Sequence, residues 1–175
     1  DLMSSISNDS IGDFVINSCK KIGINTLLLE KVSNLKNTLA IVDTMGDKTN
    51  AVLYREKPAD LFIDETFFKR VNLDSYLMII VTGTSLSRNP SRNNVLKLME
   101  LAIKRKIEIV LDIDYREGSW NDKKKAEKTL YSASLLSNIV VGNDLEFNFM
   151  SSDKNRGLSL ASKLSKKNRK TTIYK

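Results

Sequence analysis

The 175 residues suit one domain, and a composition of 41% hydrophobic and 28% charged residues is that of an ordinary soluble globular protein. No stretch approaches the ~20 apolar residues of a membrane span and the polar first ten residues hold no secretory signal; with one cysteine, Cys19, and no histidine, the sequence argues against an internal disulfide, a histidine-based triad and a zinc site, and a cytoplasmic setting is expected. The net charge of +7 gathers mainly in Lys123, Lys124, Lys125 and Lys128 and in residues 163–175, with few aromatics among the lysines to stack bases, so it reads as solvated helix surface rather than a nucleic-acid interface.

Residues 10–21 read as a helix, because Ile11, Phe14, Val15, Ser18 and Ile22 fall near helical spacing. Asp9 or Ser10 can cap its start and Gly23 would end it; Cys19 is a small packed residue within it. Residues 26–32, 38–43 and 50–55 read as strands, the last two flanking a hairpin connection over 44–49. Together they look like a small antiparallel unit set into an α/β chain. A short helix is predicted over 64–72, then a continuous apolar strand over 76–81, as expected for burial on both faces. Asn89 as cap and Pro90 in the first turn open the next helix, whose buried stripe is Val95, Leu98, Met99, Ala102 and Ile103. A buried strand over 107–111, a helix over 121–137, a short strand over 139–141, helices over 143–150 and 153–167, and a strand from 171 complete the chain. Alternation from Tyr76 onward implies a parallel sheet with right-handed crossovers.

In such a sheet, ligands bind beyond the carboxyl ends of the strands. That directs attention to residues 79–120, where two apolar strands each end in a polar cluster, T-G-T-S-L-S-R-N-P-S-R and D-I-D-Y-R-E-G-S-W. Asp112, Asp114 and Arg116 alternate, so in an extended segment all three can point the same way. A carboxylate pair beside a guanidinium suits a polar ligand; equally, Asp112 can cap backbone amides and pair with Arg116. Ser85, Ser87, Arg88, Ser91 and Arg92 crowd a loop before a helix, where backbone amides could hold an anion or simply form a polar turn. Tyr54 and Arg55 end a strand and could contact a ligand, or Glu56 could neutralise the arginine. Asn143-Asp144-Leu145-Glu146 has the spacing of a helix capping box.

The segments 82–92 and 112–120, with V-G-N-D-L-E-F at 141–147, Y-R-E-K-P-A-D at 54–60 and N-D-S-I-G-D-F-V at 8–15, resemble the ribokinase-like (PfkB-type) carbohydrate kinases in order and spacing. Within them the chain is most similar to the 5-dehydro-2-deoxygluconokinases of inositol catabolism. The resemblance implies a three-layer ribokinase-like α/β fold, a parallel sheet flanked by helices, with residues 1–175 forming a partial kinase domain, incomplete at both ends. About 25–62 would be lid strands inserted in the core. It implies phosphoryl transfer from ATP, with Mg2+, to a primary hydroxyl of a sugar or keto sugar acid. Tyr54, Arg55, Asp114 and Arg116 would bind the substrate. Asn143 and Glu146 would organise ATP and the metal, Glu146 acting on Mg2+ through water, while also capping the helix. The small-molecule sugar is the expected partner, with no nucleic acid and no membrane, and pairing of lids into a homodimer is open.

The family's general-base Asp stands in a G-x-G-D motif. The glycines here, at 12, 23, 46, 83, 118, 142 and 157, form no G-x-G. The base is therefore expected outside this chain and the 175 residues alone are expected to be inactive. A non-catalytic sugar-acid binding or regulatory remnant of a kinase is the alternative reading.

Overall fold

In the computed structural model, which describes residues 1–45, 48–153, 155–167 and 171–175, the first helix spans Ser10–Lys21 (α1) and Asp9 caps it. The Asp9 carboxylate accepts from the Ile11 and Gly12 amides at 3.1 and 3.2 Å and from the Ser7 hydroxyl at 2.6 Å. Those bonds hold its carboxyl down at about 2. Positions 46 and 47 in the predicted hairpin connection, 154 in the predicted 153–167 helix and 168–170 in the basic run lie outside the described residues.

The chain forms two compact units, Asp1–Phe67 and Phe68–Lys175. In the first, β1 (Ser4–Ser7) pairs in parallel with β2 (Leu29–Val32), α1 making the crossover between them. β3 (Leu39–Met45) and β4 (Lys48–Tyr54) form a separate antiparallel hairpin. The expectation of one antiparallel unit of three strands is thus corrected: β2 belongs with β1. β1 has the sequence S-S-I-S, which shows no apolar run, yet Ser5 and Ser7 are buried. Their polar groups are satisfied by residues distant in the chain, Ser5 Oγ donating to the Phe62 carbonyl at 2.9 Å and the Ser7 amide to Asn37 Oδ1 at 2.7 Å. Ile6, Cys19, Ala59, Leu61, Ile63 and Phe67 are buried apolar residues of this unit. The hairpin, by contrast, exposes Ile41 and Val52 on one face and Val42 and Leu53 on the other.

A short helix, α2 (Thr66–Lys69), contains the boundary between units and is shorter than the predicted 64–72. The second unit alternates β5 (Met78–Thr82), α3 (Ser91–Lys104), β6 (Glu108–Asp112), α4 (Lys123–Leu136) and β7 (Ile139–Gly142). Then come α5 (Asp144–Met150), α6 (Gly157–Lys166) and β8 (Thr171–Tyr174). The strands form one parallel sheet in the order β5-β6-β7-β8. Ile109, Leu111 and Val140 from the strands, Met99 and Ala102 from α3, Leu130 and Ala133 from α4 and Phe147 from α5 are fully buried.

Local readings differ from the structure at several points, and Ile103, expected in the buried stripe of α3, is 46% exposed. β5 is an edge strand of this sheet with Met78 and Ile80 exposed, so it is not buried on both faces. α3 starts at Ser91 with Pro90 as its N-cap residue and no side-chain cap, so Asn89 does not cap it. α6 starts at Gly157 rather than 153, Asp153 instead pairing with Arg156 at 2.9 Å. No helix among the described residues is long and apolar enough to cross a membrane.

Candidate active site at the carboxyl edge of the sheet

Register sets this edge. Thr82 of β5 pairs with Asp112 of β6, and Asp112 with Val141 of β7, so the three strands release their chains at one level. Gly83 follows directly. A Cβ there would sit 1.9 Å from the Ile113 carbonyl oxygen and 2.8 Å from Leu130 Cδ2. Only glycine lets the turn after β5 press against the turn after β6. One residue on, Thr84 Oγ1 donates to Asp114 Oδ2 at 3.2 Å, and Arg116 Nε donates to Asp114 Oδ1 at 2.9 Å.

The segment from Asp112 to Arg116 is not extended, since Asp114 has a φ of +32°. The expected alignment of Asp112, Asp114 and Arg116 is therefore replaced by a local fork in which Asp114, and not Asp112, pairs with Arg116. The Arg116 side chain is 64% exposed, and among the described residues nothing accepts from its Nη groups. A guanidinium tethered through Nε presents that remaining edge to a carboxylate.

Glu146 links this fork to the next strand end. Asn143 and Glu146 form a reciprocal capping box at the start of α5, with the Glu146 amide donating to Asn143 Oδ1 and the Asn143 amide to Glu146 Oε2, both at 2.9 Å. The other carboxylate oxygen, Oε1, accepts from the Tyr115 amide at 3.2 Å. One side chain thus holds the turn after β6 and the turn after β7. The Tyr115 ring stacks on Phe149 with centroids 3.6 Å apart. Its phenol is pushed above the usual tyrosine range by burial and by Glu117, against the opposing effect of Lys123. Lys123, paired to Glu117 at 2.5 Å, is held above the usual lysine range by that bond.

Glu146 spends one acceptor site of each oxygen on an amide, and a carboxylate offers about four. Among the described residues no group of three or more His, Cys, Asp or Glu side chains could hold a metal directly. This donor set fits a magnesium ion that keeps its waters and meets Glu146 through them.

Tyr54 and Arg55 stand in the first unit; Asp114, Arg116, Asn143 and Glu146 are brought to one edge of the second. Tyr54 closes β4 opposite Leu39 and is 59% exposed. Arg55 is only 12% exposed and forms an ion pair with Asp60, which also accepts from Thr38 Oγ1 at 2.7 Å. Sequence reading missed Asp60, Thr84 and the Tyr115–Glu146 bond. The last joins residues 31 apart in the chain and leaves no periodic signal, whereas the glycine after an apolar strand was a visible cue to the close approach at Gly83.

Residues 1–175 match the family model described as pfkB family carbohydrate kinase. Among curated proteins, 5-dehydro-2-deoxygluconokinase of Clostridium tetani (strain Massachusetts / E88) is 32% identical over 150 residues, which is 85% of this chain and 44% of that protein. The protein of the same name from Mesomycoplasma hyopneumoniae (strain 232) is 32% identical over 142 residues, 79% of this chain and 41% of its own length. Among solved structures, the PfkB protein from Polaromonas sp. JS666 superposes with a TM-score of 0.86 at 15% identity, over 99% of this chain and 59% of that one. Fructokinase from Xylella fastidiosa with bound ATP gives 0.79 at 19% identity, over 90% and 50%. At these identities the structures show a shared ribokinase-like fold. The chain spans less than half the length of these curated relatives.

Proposed function

The chain belongs to the pfkB family of carbohydrate kinases, and on that premise we propose that its protein phosphorylates a keto sugar acid of the 5-dehydro-2-deoxygluconate type at a primary hydroxyl, using ATP and Mg2+. The observation behind this reading is the Asp114-tethered Arg116, whose outer guanidinium edge is left for an anionic group beside the strand ends. Curated relatives named for a sugar-acid kinase activity support the same substrate class.

In this reading Arg116 binds the substrate carboxylate, Asp114 fixes the direction of its fork, and Thr84 fixes Asp114 in turn. Glu146 holds the Asp114–Arg116 turn by the Tyr115 amide and keeps acceptor sites for water. Magnesium-bound ATP supplies the phosphoryl group and the charge neutralisation the transfer needs. Tyr54 and Arg55 form the sugar side of the lid, the hairpin β3–β4, with Arg55 set by Asp60. The exposed apolar faces of that hairpin suit pairing with a second copy. The proton acceptor is assigned to an aspartate outside these residues, because no G-x-G-D occurs among them.

The test is steady-state phosphorylation by the intact protein, comparing 5-dehydro-2-deoxygluconate with fructose. Arg116→Ala is expected to raise KM for the acid by about 10–100-fold and to change the fructose reaction little. Equal losses on both substrates would sink the assignment of Arg116 to the carboxylate. A second reading, a non-catalytic sugar-acid binder, draws on the lack of G-x-G-D within these residues. It requires that the intact protein bind the acid and transfer nothing to it.

A further inference from the structure

Asp114 is a non-glycine residue with a φ of +32°, and it stands between two fastened neighbours. On one side Ile113, fully buried, donates its amide to the Val141 carbonyl at 2.9 Å. On the other, Tyr115 is held twice by α5. Its amide donates to Glu146 Oε1 at 3.2 Å and its ring stacks on Phe149 at 3.6 Å. Glu146 and Phe149 are three residues apart, so one face of the helix makes both contacts. The fit is close: a Cβ at Gly142 would sit 2.5 Å from Ile113 Cδ1 and 3.2 Å from Glu146 Oε2.

Backbone in this region of φ is strained for a residue with a side chain, and such strain persists only where the surroundings over-determine it. Here the anchors lie in β7 and α5, outside the turn they shape. Thr84 holds Asp114 by its carboxylate alone, which leaves the backbone leading into Arg116 to the Tyr115 anchors. Released from Glu146, that backbone relaxes toward negative φ. The Asp114 carboxylate then no longer holds Arg116 Nε at the 2.9 Å that aims the fork.

We propose that Glu146 is a positioning residue for the sugar acid as well as a group on the nucleotide side: through the Tyr115 amide it keeps Asp114 in its strained form and Arg116 aimed at the substrate carboxylate. The proposal rests on the assignment of Arg116 to that carboxylate. Its consequence is that Glu146 governs sugar-acid affinity with no metal and no nucleotide present. A turn without this grip visits the aimed form only part of the time, and apparent affinity falls by that fraction.

The intact protein is titrated with 5-dehydro-2-deoxygluconate by calorimetry, in EDTA and without nucleotide. Arg116→Ala is expected to weaken binding about tenfold or more, and Glu146→Ala about three- to tenfold. Glu146→Gln, which keeps one acceptor oxygen, loses less than Glu146→Ala. Phe149→Leu, which leaves the capping box intact, gives a smaller loss of the same kind, and it takes the place of Glu146→Ala throughout if that variant does not fold. The decisive measurement is the double variant of Arg116→Ala and Glu146→Ala, which is expected to bind as Arg116→Ala does, to within about twofold. Damage to the fold at large lowers the number of sites titrated and leaves the affinity of the remainder, so it does not imitate this result. If Arg116→Ala weakens binding, full affinity in Glu146→Ala and Phe149→Leu, or losses that add in the double variant, overturns the proposal alone. A parent that does not bind the acid, or an Arg116→Ala variant that binds as the parent does, sinks the substrate reading and this proposal with it.

Discussion

Arg55 and Arg116 are the same side chain in opposite settings. Arg55, after the hairpin of the first unit, is 12% exposed and held by Asp60, with Thr38 fastening the same carboxylate. Arg116, at the sheet edge of the second unit, is 64% exposed and tied to Asp114 through Nε. The first pair closes a turn that already belongs to the fold. The second orients a cation and leaves its outer edge free. Burial and the atom that makes the contact, rather than the presence of an ion pair, separate an arginine held fast within its own unit from one whose outer edge is left open.

The largest effect that sharpens this contrast lies under the Arg116 turn. Gly83→Ala would push a methyl group to 1.9 Å from the Ile113 carbonyl oxygen, and a cost of about 3 kcal/mol or more is expected. Gly118→Ala, where an added Cβ meets nothing within 4 Å, is the control. Equal denaturation midpoints for the two variants would show that the edge is not built on this close approach.

Next, Asp60→Ala is expected to cost about 2 kcal/mol through loss of the Arg55 and Thr38 contacts, whereas Asp114→Ala, beside an exposed arginine, costs about 1 kcal/mol or less. Chemical denaturation of both variants checks the order, and a reversed order breaks the comparison. Glu146→Ala removes the capping box and the Tyr115 bond together, for about 1–2 kcal/mol. Glu146→Gln keeps one acceptor oxygen and should recover part of that loss. If the two variants melt alike, the second carboxylate oxygen contributes nothing.

The smallest effect is the acid limb of the first unit. The Asp9 carboxyl titrates at about 2 when folded against 3.8 otherwise. A lowered folded value means its contribution is complete above 3.8 and is lost as pH falls toward 2. Asp9→Asn should flatten stability between those limits, and a melting curve against pH that matches the parent would refute the role given to the cap.

The sequence made some of this visible because the signals were local. α1 runs over the predicted residues with the predicted cap, since an Asx cap and helical periodicity both lie within one short window. The parallel strands after Tyr76 and the Asn143–Glu146 box were legible for the same reason. β1 was not, because its burial rests on serines satisfied by Phe62 and Asn37, both distant in the chain. The Asp114–Arg116 pairing was missed because alternation assumes an extended backbone, and the +32° φ at Asp114 breaks it. Nor does any spacing rule bring Arg92 over Trp120.

The double grip of Glu146 also has a signature in solvent exchange. The Tyr115 amide lies in a turn, where exchange with deuterium is ordinarily fast. Here its proton is held by the carboxylate that also holds the Asn143 amide. Both are released when the first turn of α5 frays, so two amides on separate turns should exchange together, at the pace of a helix end.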